Sequence, residues 1–168
     1  MKVAITGVPG TGKTSVARML AGRLKCACIN ELAFAKKKHI GKYNAKQKER
    51  EIPLQEFRKK LDAELSKRED VVVEGHLLCE FRAKADLAVV LRGNIKELER
   101  RLKRRGYRDE KLLDNIYCEQ TNYCGKRALK SYGKAKVVEI AGGKSIKATV
   151  DIIISEVKKL QLRKKGKK

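Results

Sequence analysis

Acidic residues are scarce in this chain of 168, where 20 Asp and Glu face 42 Lys and Arg for a formal net charge of +22. Proline occurs only twice and aromatic residues make up 5%. So little proline excludes collagen-like and mucin-like chains. So few aromatics give no sign of a platform for stacking single-stranded bases. No apolar run approaches the roughly 20 residues that span a bilayer. The opening Met1-Lys2-Val3-Ala4-Ile5-Thr6-Gly7 runs straight into a strand and a glycine turn. That leaves no room for a signal peptide, and a soluble, unexported protein is expected. Cysteine is present in odd number and scattered, as Cys26, Cys28, Cys79, Cys118 and Cys124. Cys26-Ala27-Cys28 lacks the spacing of a redox dithiol, and no second pair completes a zinc site, so free thiols in a reducing compartment are expected.

What is present is globular. The apolar share is 42% and the charged share 37%. The length suits one domain with a core that needs no disulfide or metal. The cationic excess is uneven. Residues 36–50 carry seven Lys and Arg against one Glu, residues 94–111 carry eight against four acids, and the last ten carry six and none. Such fields attract polyanions, whether RNA, nucleotides or anionic surfaces.

Hydrophobic spacing predicts strands at Lys2–Thr6, Asp70–Glu74, Ala85–Leu91 and Val137–Ile140. The run Ala85–Leu91 is almost continuously apolar, as in a parallel-sheet strand covered on both faces. Helices are predicted after the first strand (Val16, Met19, Leu20, Leu24), around Leu54, Phe57, Leu61 and Leu65, and from Ile95 to near Gly106. A long helix is predicted from Glu110 to Ser131, and a closing helix through Val150, Ile153, Ile154, Val157 and Leu160. Residues 30–53 are polar, lysine-rich and without clear periodicity. The basic tail, residues 163–168, is expected to fray. Alternating strands and helices mean an α/β fold with a parallel sheet between two helical layers.

Gly7-Val8-Pro9-Gly10-Thr11-Gly12-Lys13-Thr14 fits G-x-x-x-x-G-K-[ST], with a strand before it and an apolar-periodic helix after it. Glycines let backbone N–H groups approach phosphate oxygens that a Cβ would block. The helix opening at Lys13 aims its free N–H groups and positive dipole end at the same anion. Lys13 supplies a point charge, the Thr14 hydroxyl is placed to ligate Mg²⁺, and Ser15 can reach an inner phosphate. A dinucleotide fingerprint fails here, because Gly10-x-Gly12 has no third glycine. Size argues against large motor ATPases, and no N-K-x-D-like base reader stands in the GTPase position, which argues against a GTPase.

Three further features belong to the same chemistry. Glu74, at the end of an apolar strand, can hold Mg²⁺ through water or orient an attacking group, and His76 follows two residues on. Arg92 ends the strand Leu87–Leu91, where open α/β sheets bind ligands, and could clamp a transferring phosphoryl group. Arg100-Arg101-Leu102-Lys103-Arg104-Arg105-Gly106-Tyr107 reads as a short lid carrying cationic fingers.

The phosphate loop, Glu74-Gly75-His76, Val90-Leu91-Arg92, Arg104-Arg105-Gly106-Tyr107 and Lys111-Leu112-Leu113-Asp114-Asn115-Ile116-Tyr117-Cys118-Glu119 together resemble one family. It is the adenylate-kinase-like ATPases and nucleoside monophosphate kinases of small-ribosomal-subunit maturation, and the resemblance covers about residues 1–160. It implies a P-loop NTPase fold: an adenylate-kinase-like three-layer sandwich around a five-stranded parallel sheet, in one domain over residues 1–162. A monophosphate region would lie near 30–53 and a lid near 104–114. It implies ATP and Mg²⁺, AMP as acceptor, ATPase activity, and a role in late rRNA processing. Partners would be the small-subunit precursor, with rRNA contact, and a platform ribosomal protein of the S-eleven family, with no membrane involved. Carried over by position, Gly10, Gly12, Lys13, Thr14, Ser15, Arg105 and Lys144 would bind ATP. Lys13, Glu74, His76, Arg92 and Arg105 would act in catalysis, and Thr14 would hold the metal. Two departures stand out. Glu74 replaces the family's frequent Asp. No arginine stands near Leu32-Ala33-Phe34-Ala35, where Lys36 is the nearest cation. The lysine-rich, acid-poor version resembles the archaeal branch and implies a cytoplasmic location, or a nuclear one in a eukaryote.

Overall fold

The structure is a computed structural model that describes residues 1–45, 49–141 and 145–165. Five parallel strands form the central sheet: β1 (Lys2–Thr6), β2 (Ala27–Asn30), β5 (Val71–Glu74), β6 (Leu87–Leu91) and β7 (Val137–Ile140), in the spatial order β2-β5-β1-β6-β7. A separate antiparallel hairpin pairs β3 (Lys42–Asn44) with β4 (Glu49–Glu51).

The β1 residues Val3, Ala4 and Ile5, like all of β6, are buried because both sheet faces are covered. Side chains alternate across the sheet. Val3, Ile5, Leu87 and Val89 face helices α1 (Lys13–Leu24) and α7 (Ile146–Lys165), meeting Val16, Leu20, Val150, Ile153 and Val157. Ala4, Val73, Ala88 and Val90 face the opposite layer, which holds Phe57, Leu61, Leu65, Leu98, Leu102 and Tyr132. Those residues come from α3 (Leu54–Ser66), α4 (Ile95–Arg104) and α6 (Tyr123–Tyr132), beside α2 (Glu31–Lys37) and α5 (Asp109–Gln120). Each fully buried Leu or Phe there contributes about 1.5–3 kcal/mol of burial energy. Asn30 and Asn94 cap α2 and α4, accepting hydrogen bonds from Ala33 N at 2.9 Å and Glu97 N at 3.2 Å.

Three expectations are corrected. The long helix predicted over 110–131 is two helices, α5 and α6. Asn122 takes a left-handed φ of 53° between them and donates from Nδ2 to Glu139 Oε2 on β7 at 3.0 Å. The break is invisible to periodicity, because Leu112, Ile116, Cys124, Ala128 and Tyr132 are spaced in multiples of four across it. Residues 30–53 are not featureless. They hold α2 and the hairpin, whose strands are polar and mostly exposed and so give no apolar signal. The tail does not fray at residue 163. Helix α7 runs on through Lys165, and residues 166–168 of the tail lie outside the described residues.

Candidate functional site

The C-terminal ends of β1, β5 and β2 place the first half of the site. In register, Ile5 sits beside Glu74, and Glu74 beside Asn30. The loop leaving β1 turns through Gly7, Gly10 and Gly12, all at positive φ. A Cβ on Gly7 would lie 2.4 Å from the Leu91 carbonyl oxygen, and one on Gly10 would lie 2.7 Å from Leu98 Cδ1. The glycines therefore let the loop pack onto β6 and α4 as well as turn. Gly12 caps α1, whose first-turn N–H groups carry no side-chain cap. They remain donors for an anion.

Lys13 is buried in this loop, and its Nζ donates to the carbonyls of Gly7 at 2.8 Å and Val8 at 2.9 Å. Burial pulls its pKa down, while the charges of Glu74 and Glu31 oppose that pull. Thr14 and Ser15 are exposed at the loop mouth. Thr14 Oγ1 donates to Glu74 Oε1 at 3.0 Å, and Asn30 Nδ2 donates to the same oxygen. Glu74 is 2% exposed. A hydroxyl and a carboxylate side by side are hard oxygen donors that suit Mg²⁺. That ion keeps several waters and takes few protein ligands. Among the described residues no cluster of three or more His, Cys, Asp or Glu could hold a metal. The residues thus fit Mg²⁺ shared with phosphates rather than a protein cage.

His76 stands next along β5's exit. Its Nδ1 is 3.2 Å from Oε1 of Glu31, a buried residue that opens α2. Crowding by surrounding protein disfavours the charged ring, but the hydrogen bond and charge of Glu31 outweigh it, and the His76 pKa is raised. The Cys79 thiol donates to the His76 carbonyl at 3.1 Å. Its pairing with Cys124 and its burial push the Cys79 pKa up, while the same pairing, with the nearby Lys13 and His76 charges, draws that of Cys124 down. All five cysteines are free.

The second half of the site lies across the loop. A cavity of about 460 Å³ is lined by Gly10 and Gly12 of the loop, Ser15 of α1, Arg101 and Arg105 of α4 and its end, and Ser145 and Ile146 at the start of α7. Arg101 donates to the Gly10 carbonyl at 3.2 Å. Lys144, expected beside the base, lies outside the described residues. The lid region is a tight turn rather than a separate domain. Arg105 caps α4, Gly106 follows at φ 73°, and α5 begins at Asp109. Lys111 of α5 pairs with Glu49 of β4, so the lid turn and the hairpin meet.

The structure thus gathers Lys13, Thr14, Glu74 and His76 on one side and Ser15 and Arg105 on the other. Arg92 differs from expectation. It borders the cavity, but its Nε bonds Glu119 Oε1 at 2.6 Å, one Nη donates to the Glu119 carbonyl at 2.8 Å, and the other lies 3.6 Å from Glu139. Its donors tie β6 to α5 and β7 instead of standing free for a phosphoryl group. In the arginine-free stretch 32–35, Phe34 is buried edge-on against Phe57 at 5.9 Å. Sequence reasoning missed Asn30, Glu31 and Glu119. Asn30-Glu31 did carry a signal, as a capping residue followed by an acid before an apolar-periodic segment.

Comparison with known proteins agrees with this fold. A family profile described as an AAA domain matches residues 3–122. A protein of Thermococcus kodakarensis named "Putative adenylate kinase" is 35% identical over 167 residues, covering 99% of this chain and 90% of the relative. A protein of the same name from Pyrococcus furiosus is 38% identical over 142 residues, covering 84% and 76%. Among solved structures, shikimate kinase from Aquifex aeolicus superposes with a TM-score of 0.61 at 22% identity, covering 96% of this chain and 99% of that one. Deoxyadenosine kinase from M. mycoides with bound dATP also gives 0.61, at 14% identity, covering 94% and 100%. These structures share the α/β P-loop kinase fold. The chain belongs to the adenylate-kinase-like family of P-loop kinases.

Proposed function

We propose that this protein transfers the γ-phosphoryl group of ATP to a nucleoside monophosphate, with AMP as the acceptor, in an Mg²⁺-dependent reaction, and that it also hydrolyses ATP. One observation carries the reading: a buried Lys13, the Thr14 hydroxyl and the Glu74 carboxylate converge at the ends of adjacent parallel strands, beside a glycine loop that opens a helix. The names of the relatives support the nucleotide as substrate.

Loop amides and the α1 N-terminus bind phosphate oxygens, and Lys13 adds a cation held at the loop floor. Thr14 and Glu74 would hold Mg²⁺, which when bound neutralises charge on the phosphates. Arg105 supplies a further cation from the lid turn, and His76 orders the acceptor or a water. No covalent enzyme intermediate is needed. Product analysis with ATP alone and with each monophosphate tests this. ADP should accumulate from ATP plus AMP, and Lys13→Met should abolish it. Full turnover in Lys13→Met overturns the assignment.

The +22 charge favours a second use of the same site. ATP binding and hydrolysis would switch a small-subunit assembly factor between grip and release, with precursor rRNA and the S-eleven platform protein as partners. Binding to the precursor particle should then weaken steeply with salt and differ between ATP and ADP. Binding indifferent to both counts against it.

A further inference from the structure

Glu31 is a buried carboxylate, 2% exposed, that the reaction scheme above does not use. It reaches from the first turn of α2 to the segment leaving β5. There Oε2 accepts the Leu77 backbone N–H at 2.8 Å, and Oε1 faces His76 Nδ1 at 3.2 Å. The chain has cleared space for this contact. A Cβ on Gly75 would lie 2.0 Å from Glu31 Oε2 and 2.5 Å from its Cβ. Gly75 is not among the positive-φ glycines, so the demand there is for room rather than for an unusual backbone.

With one oxygen committed to Leu77, the carboxylate cannot rotate away. The other oxygen accepts a hydrogen, so the ring nitrogen facing it must carry one. Nδ1 is therefore the protonated nitrogen. Among the described residues Nε2 has no hydrogen-bond partner, on a side chain that is 52% exposed. We infer that Glu31 is the positioning residue for His76, fixing its ring orientation and its tautomer so that Nε2 is the nitrogen presented to the substrates. The functional meaning of this assignment rests on the phosphotransfer reading above, while its structural content does not.

Glu31→Gln tests it selectively. The Gln carbonyl can keep the Leu77 bond, and its amide NH₂ then faces Nδ1. A donor there forces Nδ1 to accept and moves the ring hydrogen to Nε2. Nitrogen NMR of histidine-labelled protein reads this directly, without substrates. At a pH above the His76 titration midpoint, where the ring is neutral, the expected result is Nδ1–H with a bare Nε2 in the wild type and a bare Nδ1 in Glu31→Gln. In the coupled assay, kcat should fall by about 10–100-fold, as when outer hydrogen-bond partners of a functional group are lost, with the KM for ATP unchanged. Because Glu31 acts through His76, Glu31→Gln added to His76→Gln should cost nothing more. Should Glu31→Gln fold poorly by circular dichroism, Gly75→Ala displaces the same carboxylate and should lower kcat likewise, with Nδ1–H no longer the single tautomer by NMR. A ring that keeps hydrogen on Nδ1 in these variants, or losses that multiply in the double variant, overturns the inference. If the wild type forms no ADP from ATP and AMP, the phosphotransfer reading fails instead, and the NMR result alone decides whether Glu31 sets the ring.

Discussion

Removing the Glu119 side chain separates two roles for Arg92. As a phosphoryl clamp, Arg92 would affect turnover and leave stability alone. As the clasp seen here, it ties β6 to α5 and β7, and its loss is felt in folding. Glu119 is 2% exposed, and its Oε1 accepts from Arg92 Nε at 2.6 Å and from the Gly93 N–H at 3.0 Å. In Glu119→Ala both donors lose this acceptor. Breaking a buried ion pair from one side costs about 3–5 kcal/mol. Arg92 is 28% exposed, so water and Glu139 recover part of this, and about 3 kcal/mol is expected. For a domain of this size, about 2–4 °C is lost per kcal/mol, so the melting midpoint should fall by about 6–12 °C. Chemical denaturation of the single variants Arg92→Ala and Glu119→Ala and of their combination gives the coupling energy. A coupling of at least about 1 kcal/mol is expected for residues in direct contact. Arg92 and Gly93 also border the cavity, so the KM for ATP should rise more than kcat falls. Additive stability losses, or a large kcat defect with unchanged stability, refute the clasp.

Other outcomes follow from single contacts. Tyr132→Phe should cost about 1–3 kcal/mol by urea denaturation. The lost hydroxyl donates to the Leu78 carbonyl at 3.0 Å and accepts from Ala83 N at 3.3 Å in a buried spot. Burial pushes the Tyr132 phenol up to about 12, so its contribution is complete below the ordinary value of about 10 and is lost as pH rises through the folded value, which alkaline melting of wild type against Tyr132→Phe reads out. The His76 pKa is raised, so its NMR titration midpoint should lie above about 6.5. Its stabilising charge pairing is then full below about 6.5 and is lost as pH climbs through the folded midpoint. Gly10→Ala should abolish ATP binding by calorimetry, since its Cβ would meet Leu98 Cδ1 at 2.7 Å from a backbone at φ 91°.

What was legible in the sequence was local. The phosphate loop is eight consecutive residues. The buried strands β1, β5 and β6 announce themselves as apolar runs, and helices α1, α3, α4 and α7 as four-residue spacing. Strand β2 was not legible, because a four-residue edge strand with one exposed cysteine and a polar end offers neither a run nor an alternation. The hairpin of β3 and β4 is polar throughout, and the break at Asn122 hides inside an unbroken period. The missed site residues share a different cause. Glu31 meets Leu77 across 46 positions, and Arg92 meets Glu119 across 27. Such partners are chosen by strand order, which no local pattern encodes. Gly75 shows this well, since its reason for being glycine is a carboxylate far away in the chain.

The most direct measurement follows the labelled γ-phosphoryl group of ATP in the presence of AMP and Mg²⁺. Label appearing in the terminal position of newly formed ADP, and disappearing in Lys13→Met, is the expected result. Label released only as inorganic phosphate, at a rate indifferent to AMP, contradicts phosphotransfer to a nucleotide as the reaction of this site.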